Sequence, residues 1–374
     1  MEKTAAYKIS IFSRKDILPD SIIRFGKKNS LLHAFEIAQS AAIKDVENKI
    51  ISVCLNDIPI AVSFYQIVTI RASHLKFLTD LPFLNREMFT ATIQVASPKL
   101  IVFGNLYLPQ SALISEPSVN GNTGYFINKM IEGAIQKEKP FIVILKEMPV
   151  SIELQDFVRF DEDAIMIMNI REEWKKMDDY ISSLRSKYRK AFFTTDKKFI
   201  TIVKKDLSLR DLMHYQNDIE RLYLNVAYQG DVSLGFLTGE YFINVKKVYN
   251  DSFKMTGFFS SGKLIGFSSY FLSEHEMTTN YIGIDYSCNE QFNIYFNILY
   301  EYVRQSILIG KKTLNLGRTS FDAKARLGGK PISMDSYYKI INPVLRPVID
   351  AIINKYKQNP EEKWKRYNPL GDLE

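Results

Sequence analysis

Residues 49–70, KIISVCLNDIPIAVSFYQIVTI, and residues 253–273, FKMTGFFSSGKLIGFSSYFLS, decide the fold. Each is a pair of apolar, β-branched or aromatic runs separated by two turn residues, Asn56-Asp57 in one and Ser261-Gly262 in the other. That spacing predicts two β-hairpins. Working outward, the first hairpin is followed by a strand at 100–108, a helix near 125–136, an apolar strand at 141–145 and a strand at 164–170. The second is followed by a strand at 278–286, a helix near 291–309, a strand at 313–316 and a strand at 332–340. Hairpin, strand, helix, strand, strand occurs twice. The pattern predicts two domains of one mixed α/β plan, over residues 1–170 and 171–342, with a C-terminal helical tail over 343–374.

A chain of 374 residues, 46% hydrophobic and 24% charged, is long enough for two cores and has an ordinary globular mix. Disordered and fibrous classes are thereby excluded. Cys54 and Cys288 make no disulfide framework, and Cys54 reads as core. His33, His74, His214 and His275 are scattered, so no metal site is expected. No P-loop, nucleophile elbow, HExxH or GxGxxG pattern is present, which removes those hydrolase and nucleotide chemistries. Apolar runs are strand-sized and the N-terminus lacks an apolar signal core, so a cytoplasmic protein is expected.

The net charge of +7 is concentrated. Between residues 185 and 205 eight Lys and Arg face Asp196 alone, so this segment holds as much net charge as the whole chain. It reads either as a surface for an anionic partner or as a solvated helix face with a lysine-guarded strand edge. A helix is expected over 172–193, with Met177, Tyr180, Ile181, Leu184, Tyr188 and Phe192 on one face and Arg185 and Arg189 one turn apart on another. A strand at 199–203 and a helix at 209–225 follow, with Glu220 and Arg221 as surface charges. In the tail, a helix at 344–356 either packs on the second domain or rests on a membrane with Lys355, Lys357 and Trp364 at the headgroups.

Residues 310–330, GKKTLNLGRTSFDAKARLGGK, place Arg318 just past a buried strand, then Lys324 and Arg326, then a glycine pair. Cations at the C-terminal end of a strand suit a phosphate or carboxylate. The same residues also read as a Gly-Gly turn with surface cations. In the first half, residues 118–124, SVNGNTG, read as an anion-binding loop or as a surface loop.

Three stretches carry a family resemblance: YISSLRSKYRKAFF at 180–193, YIGID at 281–285 and LNLGRTSFDAKARLGG at 314–329. With the element order, they make the chain resemble the Fem-type branch (FemAB-like and CelD-like) of the GNAT acyltransferase superfamily. The resemblance implies two tandem GNAT-like domains, each a mixed, mostly antiparallel sheet flanked by helices. It implies acyl or aminoacyl transfer to an amine, such as a cell-envelope or lipid precursor. The donor would be acyl-CoA, an acyl-carrier protein or aminoacyl-tRNA, with no tightly bound cofactor and no metal.

On that reading Asp285 is the proton acceptor, with Tyr281 and Tyr286 placing the acceptor or protonating the leaving group. Asp285 also reads as a helix cap. Arg318, Lys324 and Arg326 would hold an anionic part of a small-molecule or lipid-linked substrate, and Arg185 and Arg189 an anionic partner such as tRNA. One departure stands out. Where the family has a glycine-rich pyrophosphate loop, this chain has Ser287-Cys288-Asn289-Glu290-Gln291. Non-catalytic alternatives are a GNAT-fold binding protein or a membrane adaptor, motivated by the basic helix and tail.

Overall fold

The computed structural model describes residues 7–28, 43–74, 86–108, 113–115, 123–147, 154, 156–160, 164–230, 234–343, 346–347, 349–350, 364 and 366–371. It divides into two compact units that are discontinuous in sequence. The first comprises residues 1–161, 230–236 and 334–353, the second residues 162–229, 237–333 and 354–374.

Fifteen strands are described: β1 (Tyr7–Ser13), β2 (Val46–Leu55), β3 (Ile58–Thr69), β4 (Lys99–Phe103), β5 (Leu113–Ser115), β6 (Ile142–Leu145), β7 (Val158–Arg159), β8 (Ala164–Asn169), β9 (Val203–Asp206), β10 (Phe253–Ser260), β11 (Lys263–Leu272), β12 (Glu276–Ile284), β13 (Thr313–Gly317), β14 (Lys330–Ser333) and β15 (Tyr337–Ile340). The first sheet runs β1-β2-β3-β4-β6-β15-β7, with β5 also on β3, and the second runs β9-β10-β11-β12-β13-β8-β14. In each, the fourth and fifth strands pair in parallel and the other described pairs along the path are antiparallel. The two sheets therefore share one plan, position by position.

The hairpins form where their turn residues require. Asn56 and Asp57 have φ of 50° and 61°, and Ser261 and Gly262 have 48° and 80°. Two consecutive positive φ values match the right-handed strand twist, and Asn, Asp and Gly reach them at low cost. β3 and β11 are buried along nearly their whole length, as expected of strands covered on both faces. In the second unit one face of the sheet packs on the Ile294–Leu308 helix and on the Met177–Ser183 and Ser186–Lys197 helices. The aromatic rings of Tyr223, Phe242, Phe267 and Tyr281 pack edge to face, joining the Gln216–Ala227 and Gly239–Tyr249 helices to β11 and β12.

Several elements differ from the sequence reading. The strand expected to close the first half, β8, lies in the second sheet, antiparallel to β13 and β14. The strand expected at 332–340 is two strands: β14 joins β8, and β15 lies in the first sheet against β6 and β7. The sixth position of each sheet is thus filled from the other half of the chain. The 172–193 helix is broken at Leu184, which is extended (ψ 140°), and Arg185 starts a second helix. The 209–225 helix is broken at Tyr215, and the 291–309 helix at the left-handed Asn293. Residues 199–202 form turns, and the strand begins at Val203. The helix expected at 344–356 lies mostly, and the loop at 118–122 entirely, outside the described residues, as do Lys355, Lys357, Lys363 and Lys365. Trp364 is partly buried against the second core.

Candidate functional site

In the second sheet the parallel pair comes apart. β12 and β13 pair at Glu276↔Thr313, Met277↔Leu314 and Thr278↔Asn315. Beyond Thr278, β12 follows β11 as far as Gly266↔Ile284, while β13 follows β8 as far as Gly317↔Met166. Six residues of β12 thus continue without β13, and the backbone groups along the gap need other partners. β12 also bulges here: Thr279 faces Tyr270 and Ile282 faces Ser268, so β12 has one extra residue. Inside this stretch the Asn280 side-chain nitrogen is buried without a hydrogen-bond partner among the described residues. Among the described residues the first sheet shows no such gap. β4 and β6 pair from Leu100↔Ile142 to Phe103↔Leu145, and the Lys146 N–H then donates to the Phe103 carbonyl.

Asp285 ends the β12 side of the gap and is 7% exposed. Its Oδ1 accepts from the Ser287 hydroxyl at 2.6 Å and the Ser287 N–H at 3.2 Å, capping the Tyr286–Phe292 helix. Its Oδ2 faces the Lys263 ammonium at 3.1 Å and the Arg221 guanidinium at 3.6 Å. The Ser287 hydrogen bonds, then Lys263, outweigh burial and hold this carboxyl below the ordinary value. The cap, one of the two sequence readings, is present in this geometry. Arg221, read from the sequence as a surface charge, is half-exposed and pairs with Asp218 at 3.1 Å, three residues away on its own helix; it also reaches Asp285, 64 positions away, which no local pattern reveals. Glu220, read likewise as a surface charge, accepts from the Gly239 N–H at 2.8 Å.

The β13 side ends in a sharply turned segment. Gly317, Thr319 and Ser320 have φ of 71°, 62° and 50°. A β-branched residue in the left-handed region is strained, and such strain collects at functional sites. Lys324 is folded back under this turn, 6% exposed. Its ammonium donates to the Gly317 carbonyl at 3.1 Å and to the Arg318 carbonyl. Burial, and secondarily the Arg318 charge, push it down to about 7. The amine is thus available in both protonation states near neutral pH.

Two tyrosines follow β12. Tyr295, on the long helix, is mostly buried, and burial raises its hydroxyl above the ordinary value, with Ser320 acting in the opposite direction. Tyr286 is half-exposed, and burial raises its hydroxyl above the ordinary value. The Tyr281 ring instead packs edge to face on Tyr223 and Phe242.

The helix start beside β12 is filled by the chain itself. The Asp285 side chain takes the Ser287 N–H and its carbonyl the Cys288 N–H, while at the start of the next helix Asn289 Oδ1 takes the Tyr295 N–H. A pyrophosphate cradle needs such N–H groups free.

The remaining cations lie elsewhere. Arg326 is exposed, donates to the Tyr367 hydroxyl at 3.2 Å and lies over its ring; Arg366 lies over the same ring and pairs with Asp322 at 2.6 Å. The Arg185 N–H donates to the Pro369 carbonyl at 2.8 Å, and Arg189 donates to the Ser182 carbonyl at 3.3 Å. Arg185 and Arg326 therefore both meet residues 366–371, and neither is paired with Asp285. Among the described residues no cluster of three or more His, Cys, Asp or Glu is arranged to hold a metal, and no helix is long and apolar enough to cross a membrane.

No family model matches the chain, and no curated protein matches it in sequence. Solved structures similar to it include FemX, at 10% identity over 86% of this chain and 97% of that one, with a TM-score of 0.48. A tandem GNAT protein from the clavulanic acid biosynthesis pathway is 9% identical over 89% of this chain and 98% of that one, TM-score 0.46. N-Myristoyltransferase of Saccharomyces cerevisiae is 8% identical over 89% and 79%, TM-score 0.44. Two sheets of one strand plan, each mixed and mostly antiparallel, are what the resemblance in the sequence implied. The fold is a tandem GNAT-like one. The parted strands belong to the second unit.

Proposed function

We propose that the chain is an N-acyltransferase of the GNAT/Fem type, moving an acyl or aminoacyl group from a thioester or ester donor to an amine. The observation that supports this is the parting of β12 and β13 beyond Thr278↔Asn315, with Lys324 and Arg318 at the end of β13. The acceptor amine attacks the donor carbonyl as a neutral group. A C–N bond forms, the C–S or C–O bond breaks, and the amine proton passes to a base and on to the leaving group. Lys324 suits proton handling. When neutral it donates its two N–H bonds to the Gly317 and Arg318 carbonyls and keeps a lone pair; when protonated it offers a third N–H to an oxyanion or carboxylate.

Asp285 serves in this scheme by fixing Lys263 and Arg221 rather than as the base. Tyr286 remains protonated at neutral pH and is placed to donate to a leaving group. Arg318 holds an anionic part of donor or acceptor, and the amine belongs to a cell-envelope or lipid precursor. Arg326, Arg185 and Arg189 are assigned to a second anionic contact outside the opening.

A second reading concerns the donor. Side chains fill the helix start where a CoA pyrophosphate would bind, which favours aminoacyl-tRNA or an acyl-carrier protein over acyl-CoA. A GNAT-fold protein that only binds its ligand stands as the non-catalytic alternative.

Native mass spectrometry of the purified protein separates a retained CoA, carrier protein, tRNA or lipid by mass. With a donor and amine found, Lys324→Ala is expected to lower turnover at least about a hundredfold, in the range of a lost general base. Turnover unchanged in both Lys324→Ala and Asp285→Asn would remove the site assignment.

A further inference from the structure

The basic segment that begins the second unit has a feature that charge alone does not explain. On the Ser186–Lys197 helix, Lys187, Lys190, Phe193, Thr194 and Lys197 fall on one exposed side at spacings of three and four residues. The opposite side holds the buried Phe192 and Thr195. Phe193 is 56% exposed, and just past the helix Ile200 is 84% exposed. Val203, at the start of β9, is 65% exposed. Three large apolar side chains are thus left in solvent within a run of eleven residues that also holds Lys197 and Lys198. Among the described residues, Lys187, Lys190 and Lys197 enter no ion pair, and Asp196, the segment's acidic residue, faces Arg304 at 3.7 Å.

A lysine-guarded strand edge accounts for part of this. Lys204 and Lys205 on β9 are engaged by Glu301 and Asp211, each at 2.6 Å. It does not account for Phe193 and Ile200, which lie outside the strand. Nor does a nucleic acid, whose phosphates need cations but leave an isoleucine in water. A bilayer with anionic headgroups satisfies both: lysines meet the phosphates while apolar side chains enter the acyl boundary.

The patch is tied to the opening. The Lys198 ammonium donates to the Glu290 carbonyl at 3.0 Å, and Thr195 receives the Asn293 and Asn297 side chains at 3.0 and 3.1 Å. These residues belong to the helices that follow β12 and Asp285.

We propose that Lys187, Lys190, Phe193, Lys197 and Ile200 form a docking surface for an anionic lipid bilayer, which would bring the β12–β13 opening toward lipid-borne molecules. This goes beyond the acyltransferase reading and does not rest on it, because its readout is membrane binding.

The experiment is co-sedimentation of the full chain with phosphatidylcholine vesicles and with vesicles doped with phosphatidylglycerol, at low and high salt, beside a filter-binding assay with polyuridylic acid. Binding is expected to the doped vesicles and to weaken with salt. Lys190→Glu with Lys197→Glu should weaken partitioning by at least about twentyfold, since each lysine near the surface is worth about fivefold. Phe193→Ser with Ile200→Ser should weaken vesicle binding about tenfold while sparing any RNA binding, because only the bilayer takes up apolar side chains. All four positions are exposed, so unchanged melting temperatures establish that the variants fold. Equal binding to neutral vesicles, no loss in the Phe193/Ile200 variant, or binding to the RNA alone would each overturn the proposal.

Discussion

The Lys263 ammonium lies 3.1 Å from Oδ2 of Asp285, while Oδ1 of the same carboxylate is taken by Ser287. One oxygen thus closes an ion cluster and the other starts a helix. Asp285→Ala removes both functions and should cost about 1–2 kcal/mol, the range for a lost N-cap. Asp285→Asn keeps a cap and should cost less. Because the folded carboxyl titrates below its ordinary value, its contribution is complete above that value and is lost as pH falls through the lower, folded one. Acid-unfolding curves should therefore be shallower for the Asn variant. A double-mutant cycle with Lys263→Ala should return a coupling of about 1 kcal/mol or less, since Lys263 is largely solvated.

Lys324 titrates in the opposite circumstance, a cation driven toward neutrality by burial. An unfolded lysine keeps its proton to higher pH, so the unfolded state binds more protons between about 7 and about 10 and stability rises with pH across that window. Urea midpoints at pH 7 and pH 10 should show this rise in the natural protein and a smaller one in Lys324→Met. The Met variant also leaves the Gly317 and Arg318 carbonyls without their donor, which should make it the less stable of the two at pH 10.

Gly283 leads into Asp285 on β12, where a side chain has no room. A Cβ there would meet the Phe267 ring and come within 2.7 Å of the Leu222 Cβ. Those atoms belong to packed neighbours, so the backbone of β12 must move. Gly283→Ala should destabilise by about 1–3 kcal/mol, the usual cost of overpacking. It should also lower any activity that depends on the opening, read as a fall in both Tm and turnover.

The hairpins were legible because turn residues and apolar runs are local signals: Asn56-Asp57 and Ser261-Gly262 sit where the chain must turn. Partner choice was not. β8 and β15 are short strands with no turn tying them to a neighbour, and nothing in Ala164–Asn169 says which sheet it completes. The helix breaks at Leu184, Tyr215 and Asn293 were hidden because apolar spacing continues through them. At the site, Arg318 drew attention because it directly follows the strand Thr313–Gly317, and Lys324 because it comes on the next turn, before the glycine pair. Arg221 and Lys263 reach Asp285 only through the fold, and Asn280 owes its unpaired nitrogen to a bulge that leaves no mark in composition.

Thr319 has a φ of 62° in the turn that Lys324 supports. A β-branched residue there crowds its own backbone, at a cost of about 1–2 kcal/mol relative to glycine. The neighbouring Gly317, with φ of 71°, shows that the chain takes glycine in this turn. Thr319→Gly should therefore raise the melting temperature if the threonine serves no purpose beyond filling the position, less whatever the looser unfolded chain takes back. Should the turn be held in this shape to aim Arg318 and the carbonyls that grip Lys324, the same variant should be more stable and less active, with the loss in kcat rather than KM. A variant less stable than the natural protein would mean that the Thr319 side chain makes contacts outweighing its backbone strain, and the turn would then lose its standing as a strained functional element.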